Sequence, residues 1–271
     1  MSDDVRETNR AHWDALAGVH GQDAYYDSEA LVGGADTLRG HEDAAVREAV
    51  GDVAGLDVLH LQCHIGFDSI SLARRGARVT GADFSPASLA KGRDLAARAG
   101  LDVEFVEADA TALPPALHGR FDLVYSTMGV LCWIDDLAAW MGSVHAALRP
   151  GGSLVLVEIH PLFNMVGERD PLLLDFPYAA DGPRRFDEPG SYAGRDMDVA
   201  VTTEIVYAHS LGEIVNAAIG AGLRVDALHE HLDTDFDPRG SVLQPEPGGR
   251  LTLRVGGERL PVLFTLLASR P

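Results

Sequence analysis

Short, wholly apolar runs alternate along this chain with stretches in which apolar residues return every three or four positions. That is the pattern of strands buried on both faces alternating with amphipathic helices. Val58 to Cys63 is one such run, and Ile70, Leu72 and Ala73 supply the sheet-facing side of the helix that follows. Val79 to Asp83 is a second strand, and further strands are predicted at Phe105 to Ala110, Phe121 to Met128 and Leu148 to His160. Ser85 followed by Pro86 reads as an N-cap opening a helix to about Gly100. Asp135 and Asp136 open another, carrying Leu137, Trp140, Met141, Val144 and Leu148 and closed by Arg149-Pro150-Gly151-Gly152. Ser210 and Glu213 form a capping box before Leu211, Ile214, Val215, Ala218 and Ile219, with Gly222 as the stop. Leu223 to His231 and Val262 to Ala268 are the last two strands. The alternation predicts an α/β domain with a mostly parallel sheet and helices on both faces.

Two segments fall outside that pattern. Residues 1–45 hold one amphipathic helix, with Trp13 and Leu16, and then an aromatic turn at Tyr25-Tyr26. Residues 162–205 form a long link rich in Pro, Gly, Asp and Arg, and connections longer than ~15 residues are usually functional or disordered.

The stretch Val58 to Asp83 is strand, tight turn, helix and second strand ending in an acid, the order of a nucleotide-binding βαβ unit. A dinucleotide turn requires G-x-G-x-x-G so that the backbone can approach a pyrophosphate. Here the turn reads Gln62, Cys63, His64, Ile65, Gly66, which favours a nucleoside ligand without phosphates. The unit resembles the class I S-adenosylmethionine-dependent methyltransferases, with VLHLQCHIG in place of their first motif. His60, Gln62 and His64 match a subgroup with an LHLQCH-type signature, many of them small-molecule enzymes of bacteria. The resemblance continues through Asp83-Phe84-Ser85-Pro86, FVEADA at Phe105 to Ala110, FDLVYSTM at Phe121 to Met128, and LRPGGSLVLVEIH at Leu148 to His160.

The resemblance implies a Rossmann-like, seven-stranded, mostly parallel sheet with an antiparallel edge strand, the final one. It implies a single domain over residues 1–271, with residues 1–45 as a cap and 162–205 as a lid over the substrate. S-Adenosyl-L-methionine is the implied cofactor and S-adenosyl-L-homocysteine its product. The implied contacts are Gln62, Cys63, His64 and Gly66 in the turn, Asp83 on the ribose with Phe84 beside it, Asp109 at the adenine amine, the Ala110 amide at the ring, and Ser126.

The net charge is −19, from 41 acidic and 22 basic residues. Such a surface repels phosphate backbones, so nucleic acid is not the expected partner, and an RNA methyltransferase is the weaker reading. Cys63 and Cys132 are the two cysteines, too few for a disulfide framework. The polar N-terminus and the lack of an apolar run of ~20 residues predict a soluble, cytoplasmic protein without membrane partners.

In an open parallel sheet the ligand sits beyond the carboxyl ends of the strands. That rule places Glu158, His160, Ser126 and His209 at the ligand end. His209 is the first candidate to deprotonate an acceptor, since histidine ordinarily titrates near neutrality; the alternative is that it orders a helix start. Glu158 and His160 are two apart on one strand and are expected to face one side as a pair, or else to anchor the insertion. Tyr26 or Tyr25 is expected to contact the acceptor or to pack. His60, Cys63 and His64 invite a zinc reading, but their spacing lacks a second ligand pair, so no metal is expected. Two functions remain: methyl transfer to O, N or C of a small aromatic or heterocyclic metabolite, or S-adenosylmethionine binding without transfer, as a sensor or scaffold.

Overall fold

The computed structural model describes residues 3–23, 25–167, 172–237 and 242–271. In chain order the strands are β1 (Asp57–Leu61), β2 (Arg78–Asp83), β3 (Val103–Glu107), β4 (Phe121–Thr127), β5 (Leu148–Ile159), β6 (Arg184–Asp187), β7 (Thr203–Val206), β8 (Arg224–His231), β9 (Gln244–Pro245), β10 (Leu251–Val255), β11 (Glu258–Leu260) and β12 (Leu263–Ser269). The helices are α1 (Asp3–Val19), α2 (Ser28–Val32), α3 (Gly40–Val50), α4 (Phe67–Arg74), α5 (Pro86–Arg98), α6 (Leu137–Ala147), α7 (Pro161–Asn164) and α8 (Leu211–Gly220).

Seven strands form one sheet in the order β3-β2-β1-β4-β5-β12-β8. β1 through β5 pair in parallel, and β12 runs antiparallel to both β5 and β8. The antiparallel edge is therefore a pair, with β12 one place inside the rim that the sequence assigned to it and β8 on the rim. Side chains explain the order. All seven residues of β12 are buried, as a strand flanked on both sides requires, whereas every residue of β8 is exposed or half-buried.

The period of two along each strand splits the core between the two faces of the sheet. Leu59, Leu61, Val124, Leu154, Leu156, Phe264 and Leu266 meet Trp140, Met141 and Val144 of α6 and Ile214 and Ala218 of α8. Val58, Val79, Leu123, Tyr125, Val155, Val157 and Leu267 meet Ala45 and Val46 of α3 and Leu72 of α4. The expected caps hold: Ser85 accepts from Ser88 N, Asp136 from Ala139 N, and Ser210 and Glu213 close a full capping box.

Three features depart from the sequence reading. Residues 1–45 contain α1, α2 and the start of α3, and α3 belongs to the core rather than to a cap. The segment 162–205 is partly regular, since β6 pairs antiparallel with β7. Beyond β8, a small antiparallel sheet β9-β10-β11 arises where no strand was foreseen. Among the described residues, no helix is long and apolar enough to cross a membrane.

Candidate active site

The β1–α4 turn is built from unusual backbone. Gln62 and His64 have φ of 58° and 49°, and Gly66, which opens α4, has φ of 76°. Left-handed non-glycine residues cost of order 1–3 kcal/mol each and persist only where their surroundings over-determine them. The surroundings do so here. Gln62 Nε2 donates to Val130 O at 3.1 Å while its Oε1 accepts from Trp140 Nε1 at 2.8 Å. His64 N donates to Asp83 Oδ2 at 2.8 Å, its Nδ1 lies 3.0 Å from Ser88 Oγ, and its Nε2 lies 2.8 Å from His20 Nδ1. His20 Nε2 continues the chain to Ser191 Oγ at 2.7 Å. Burial holds His64 well below the ordinary histidine range and His20 down at about 4, so both are neutral.

Gly66 serves packing as well as the turn. A Cβ at Gly66, Gly81 or Gly92 would meet the Phe105 ring at 2.7, 3.0 or 2.8 Å respectively. One aromatic ring from β3 thus fills the space left by three absent side chains. Cys63 joins this cluster as a buried apolar group, its thiol pushed up by burial and the nearby Asp83.

Asp83 ends β2 and is buried, 6% exposed. Its Oδ1 accepts from Ser85 N at 2.9 Å and its Oδ2 from His64 N. Burial raises it to about 6, although these N–H bonds oppose the shift. Each oxygen keeps a lone pair for a further donor. Phe84 follows it, half-buried. Asp109 lies beyond β3, where its Oδ1 accepts from Thr111 N and Oγ1 at 2.8 and 2.7 Å and its Oδ2 pairs with Arg6 of α1 at 2.8 Å. Ala110 beside it is buried against Leu113 and Val130. α1 lies over this end of the sheet: besides the Arg6 pair, Asp14 Oδ1 accepts from Ser85 Oγ at 2.6 Å and Lys91 Nζ donates to Ala17 O at 2.9 Å.

A small cavity of about 100 Å³ opens against the turn, bounded by Gln62 to Asp68, His60, Tyr25, Arg39 and Glu42. The Arg39 guanidinium stands 4.6 Å over the Tyr25 ring. Burial and the nearby Asp68 raise Glu42 to about 7. Asp68 accepts from the hydroxyls of Thr37, Tyr125 and Thr127 at 2.5, 2.9 and 3.3 Å. Arg39, Glu42 and Asp68 were not candidates from sequence. No local motif marks them, because Arg39 and Glu42 reach the turn only through the packing of α3. His60, bonded to Ser69 Oγ at 2.8 Å, is a core histidine lowered to about 4 by burial. Among the described residues no cluster of His, Cys, Asp and Glu could hold a metal ion.

A second cavity, about 570 Å³, lies between α1 and the segment after α7, with His12, Cys132, Arg184, Tyr192, Glu204 and His209 on its walls. The cover over it is one unit. Asn9 of α1 exchanges two bonds with the Ile205 backbone, Nδ2 to O at 2.8 Å and Oδ1 from N at 2.9 Å, and His12 Nδ1 reaches Val201 O at 2.8 Å. Tyr26 OH meets Tyr192 OH at 2.7 Å, joining the aromatic turn to this cover beside the β1–α4 turn.

The expected catalytic residues are dispersed. Glu158 and His160 do not pair. Glu158 is 4% exposed, and its two oxygens accept from the backbone N–H groups of Gly129, Val130, Leu131 and Ile159 at 2.6, 2.7, 2.9 and 2.5 Å. It is a buried cap for the loop after β4, reached because β5 runs parallel beside that strand. His160 Nε2 lies 2.9 Å from Glu230 and its Nδ1 accepts from Leu162 N at 3.1 Å, ordering the start of α7. Ser126 is fully buried and donates to Leu61 O at 3.0 Å, tying β4 to β1. His209 does line the large cavity, with Nε2 2.6 Å from Ile134 O. Tyr26 borders the small cavity with its phenol pushed far up by burial and by Tyr192.

Residues 58–152 match a family model described as a methyltransferase domain. The ubiquinone biosynthesis O-methyltransferase of Azotobacter vinelandii is 32% identical over 190 residues, 68% of this chain and 76% of that protein. The demethylmenaquinone methyltransferase of Thermus thermophilus is 42% identical over 106 residues, and the ubiquinone biosynthesis O-methyltransferase of Pseudomonas paraeruginosa 29% over 154. These matches cover 38% and 55% of this chain and span 47% and 66% of the two relatives. Among solved structures, an S-adenosylmethionine-dependent methyltransferase from Mesorhizobium loti aligns with a TM-score of 0.60 at 25% identity, over 88% of this chain and 100% of that one.

Proposed function

Because the chain belongs to the class I S-adenosylmethionine-dependent methyltransferases, we propose that it methylates a hydroxyl group of a small aromatic or quinone-like acceptor held in the large cavity. The observation that carries this reading is the position of that cavity. Its walls carry the aromatic groups Phe176, Tyr192 and Tyr207 beside charged Arg184 and Glu204, α1 and β7 border it, and Tyr192 and Tyr26 join it to the β1–α4 turn. The names of the quinone-pathway relatives support an oxygen acceptor of this kind.

The donor set suits a nucleoside sulfonium. Asp83 retains acceptor capacity for ribose hydroxyls, and Asp109 can receive an adenine amine once Arg6 yields it. Arg39, Glu42 and Asp68 all border the small cavity, a mix of charges that suits the carboxylate and ammonium of an amino acid. Gln62, whose side chain is held at both ends, and Ser126, bonded within the sheet, act on the cofactor by shaping the turn and strand around it. When bound, S-adenosyl-L-methionine supplies an activated methyl group. The protein's part is to hold the acceptor in line and exclude water, worth roughly 7–11 kcal/mol of barrier.

Calorimetry with S-adenosylmethionine, on wild type and Asp83→Ala, tests the cofactor half; a panel of phenols and hydroxyquinones, assayed by mass spectrometry, tests the acceptor half. Binding without transfer to any hydroxyl acceptor would favour the sensor reading instead. No binding by wild type would refute both.

A further inference from the structure

We propose that His12 of α1 is the general base of this site, taking the proton of an acidic aromatic hydroxyl through Nε2 with Glu204 of β7 beside it. The inference rests on the large cavity being the acceptor site. Both residues line that cavity. His12 Nδ1 lies 2.8 Å from the Val201 carbonyl, an acceptor only, so Nδ1 carries the hydrogen and Nε2 presents its lone pair. Nε2 stands 3.7 Å from Glu204 Oε2, too far for a direct hydrogen bond and close enough for a charge pair once the imidazole is protonated. The ring is 4% exposed and lies 6.0 Å from the Trp133 ring, nearly parallel to it, while the adjacent Trp13 edge meets His64 of the cofactor turn at 4.9 Å. The imidazole is thus fixed in orientation, in one tautomer, between the acceptor cavity and the cofactor turn.

The groups bearing on its titration are Glu204 and, beyond it, Glu188 from the insertion, His20 just after α1, and the Cys132 thiol after β4. Burial lowers His12, and burial together with Glu188 raises Glu204 to about 7. A neutral imidazole is therefore available near neutrality, and ionisation of Glu204 stabilises the imidazolium that forms. In the step, the acceptor O–H breaks toward Nε2 and the acceptor oxygen takes the methyl group, the electron pair of the broken C–S bond remaining on sulfur. The proton then leaves His12 through a water bridging the 3.7 Å gap to Glu204, and from there passes to solvent. His209, on the same cavity wall, has Nε2 turned to the Ile134 carbonyl and stands outside this relay.

The test needs no turnover. 4-Nitrocatechol, whose phenolate absorbs to the red of its phenol, is titrated into the full chain without methyl donor. Wild type is expected to bind it as the phenolate below the pH at which the free compound ionises. In His12→Asn, where the amide can still donate to Val201 O, the bound probe should remain the phenol, with S-adenosylmethionine affinity unchanged. Glu204→Gln should show an intermediate spectrum and guards against a misfolded His12 variant. On an acceptor found by the panel, His12→Asn should lower kcat by ~10²–10⁴ and remove the acidic limb of the pH profile. An identical bound spectrum in wild type and both variants would overturn the base assignment. Failure of nitrocatechol to bind would overturn the acidic-hydroxyl acceptor, and calorimetry with S-adenosylmethionine separates either result from failure of the methyltransferase reading.

Discussion

Glu158→Gln distinguishes a structural carboxylate from a catalytic one. Oε1 of Glu158 accepts from Gly129 N and Ile159 N, and Oε2 from Val130 N and Leu131 N. A glutamine amide has one oxygen, so in either orientation two of these four N–H groups lose their acceptor and face an NH2 group. A buried donor left unmade costs about 1–3 kcal/mol, giving about 2–6 kcal/mol for the pair. In domains of roughly this size, 1 kcal/mol moves the melting temperature by about 2–4 °C, so a fall of roughly 4–24 °C is expected in calorimetry. The near-ultraviolet signal of Trp133, whose indole donates to Gly129 O at 2.8 Å, should change with it. S-Adenosylmethionine affinity should fall less than stability does. A Glu158→Gln protein that melts within about 2 °C of wild type and yet loses turnover would refute this reasoning and return Glu158 to the chemistry.

Asp83 sits at about 6, and its ionised form is the better acceptor for ribose hydroxyls; S-adenosylmethionine affinity should therefore fall as pH drops through about 6, and Asp83→Asn should bind weakly with a flat profile in calorimetry. His60 is held at about 4 by burial, below the unfolded value of 6.5, so its contribution to stability is present above 6.5 and lost as pH falls toward 4. By about pH 5 the loss is about 2 kcal/mol, and urea midpoints should show a shallower acid limb in His60→Asn. Gly92→Ala places a Cβ 2.8 Å from the Phe105 ring and should cost about 1–3 kcal/mol in urea unfolding, with much of the loss recovered in Gly92→Ala/Phe105→Leu.

What could be read from the chain follows the range of the interactions involved. Strand and helix positions from β1 to α6 rest on local periodicity and caps, and Ser85, Asp136 and Ser210 cap as their sequence contexts require. The order β5-β12-β8 is a long-range matter, yet the predominantly apolar run of β12 against the largely polar β8 contains the reason for it. The roles of Glu158 and His160 were not legible. Strand periodicity gives the face a side chain occupies, not whether a neighbouring loop offers four N–H groups to it. Arg39, Glu42, His12 and Glu204 escaped for a related reason: each gains its chemistry from a partner more than a hundred residues away or from a helix packed across the sheet. α3 went unseen because its sequence, GHEDAAVREAV, has four charged residues and only Ala and Val among its apolar ones.

If Asp109 meets the adenine as proposed, Arg6 holding it, with Asp14 holding Ser85, makes the protein a competitor for its own cofactor site. A nucleoside reaching for that carboxylate must take it from a guanidinium tethered at high local concentration, so the measured affinity is the intrinsic one divided by the rarity of the open form. If α1 stands away one part in ~100, binding weakens ~100-fold and capture saturates at the rate of opening. On the same proposal the latch would work in reverse after transfer, with Arg6 retaking Asp109 as the spent nucleoside shifts, so that a site slow to fill would be quick to clear.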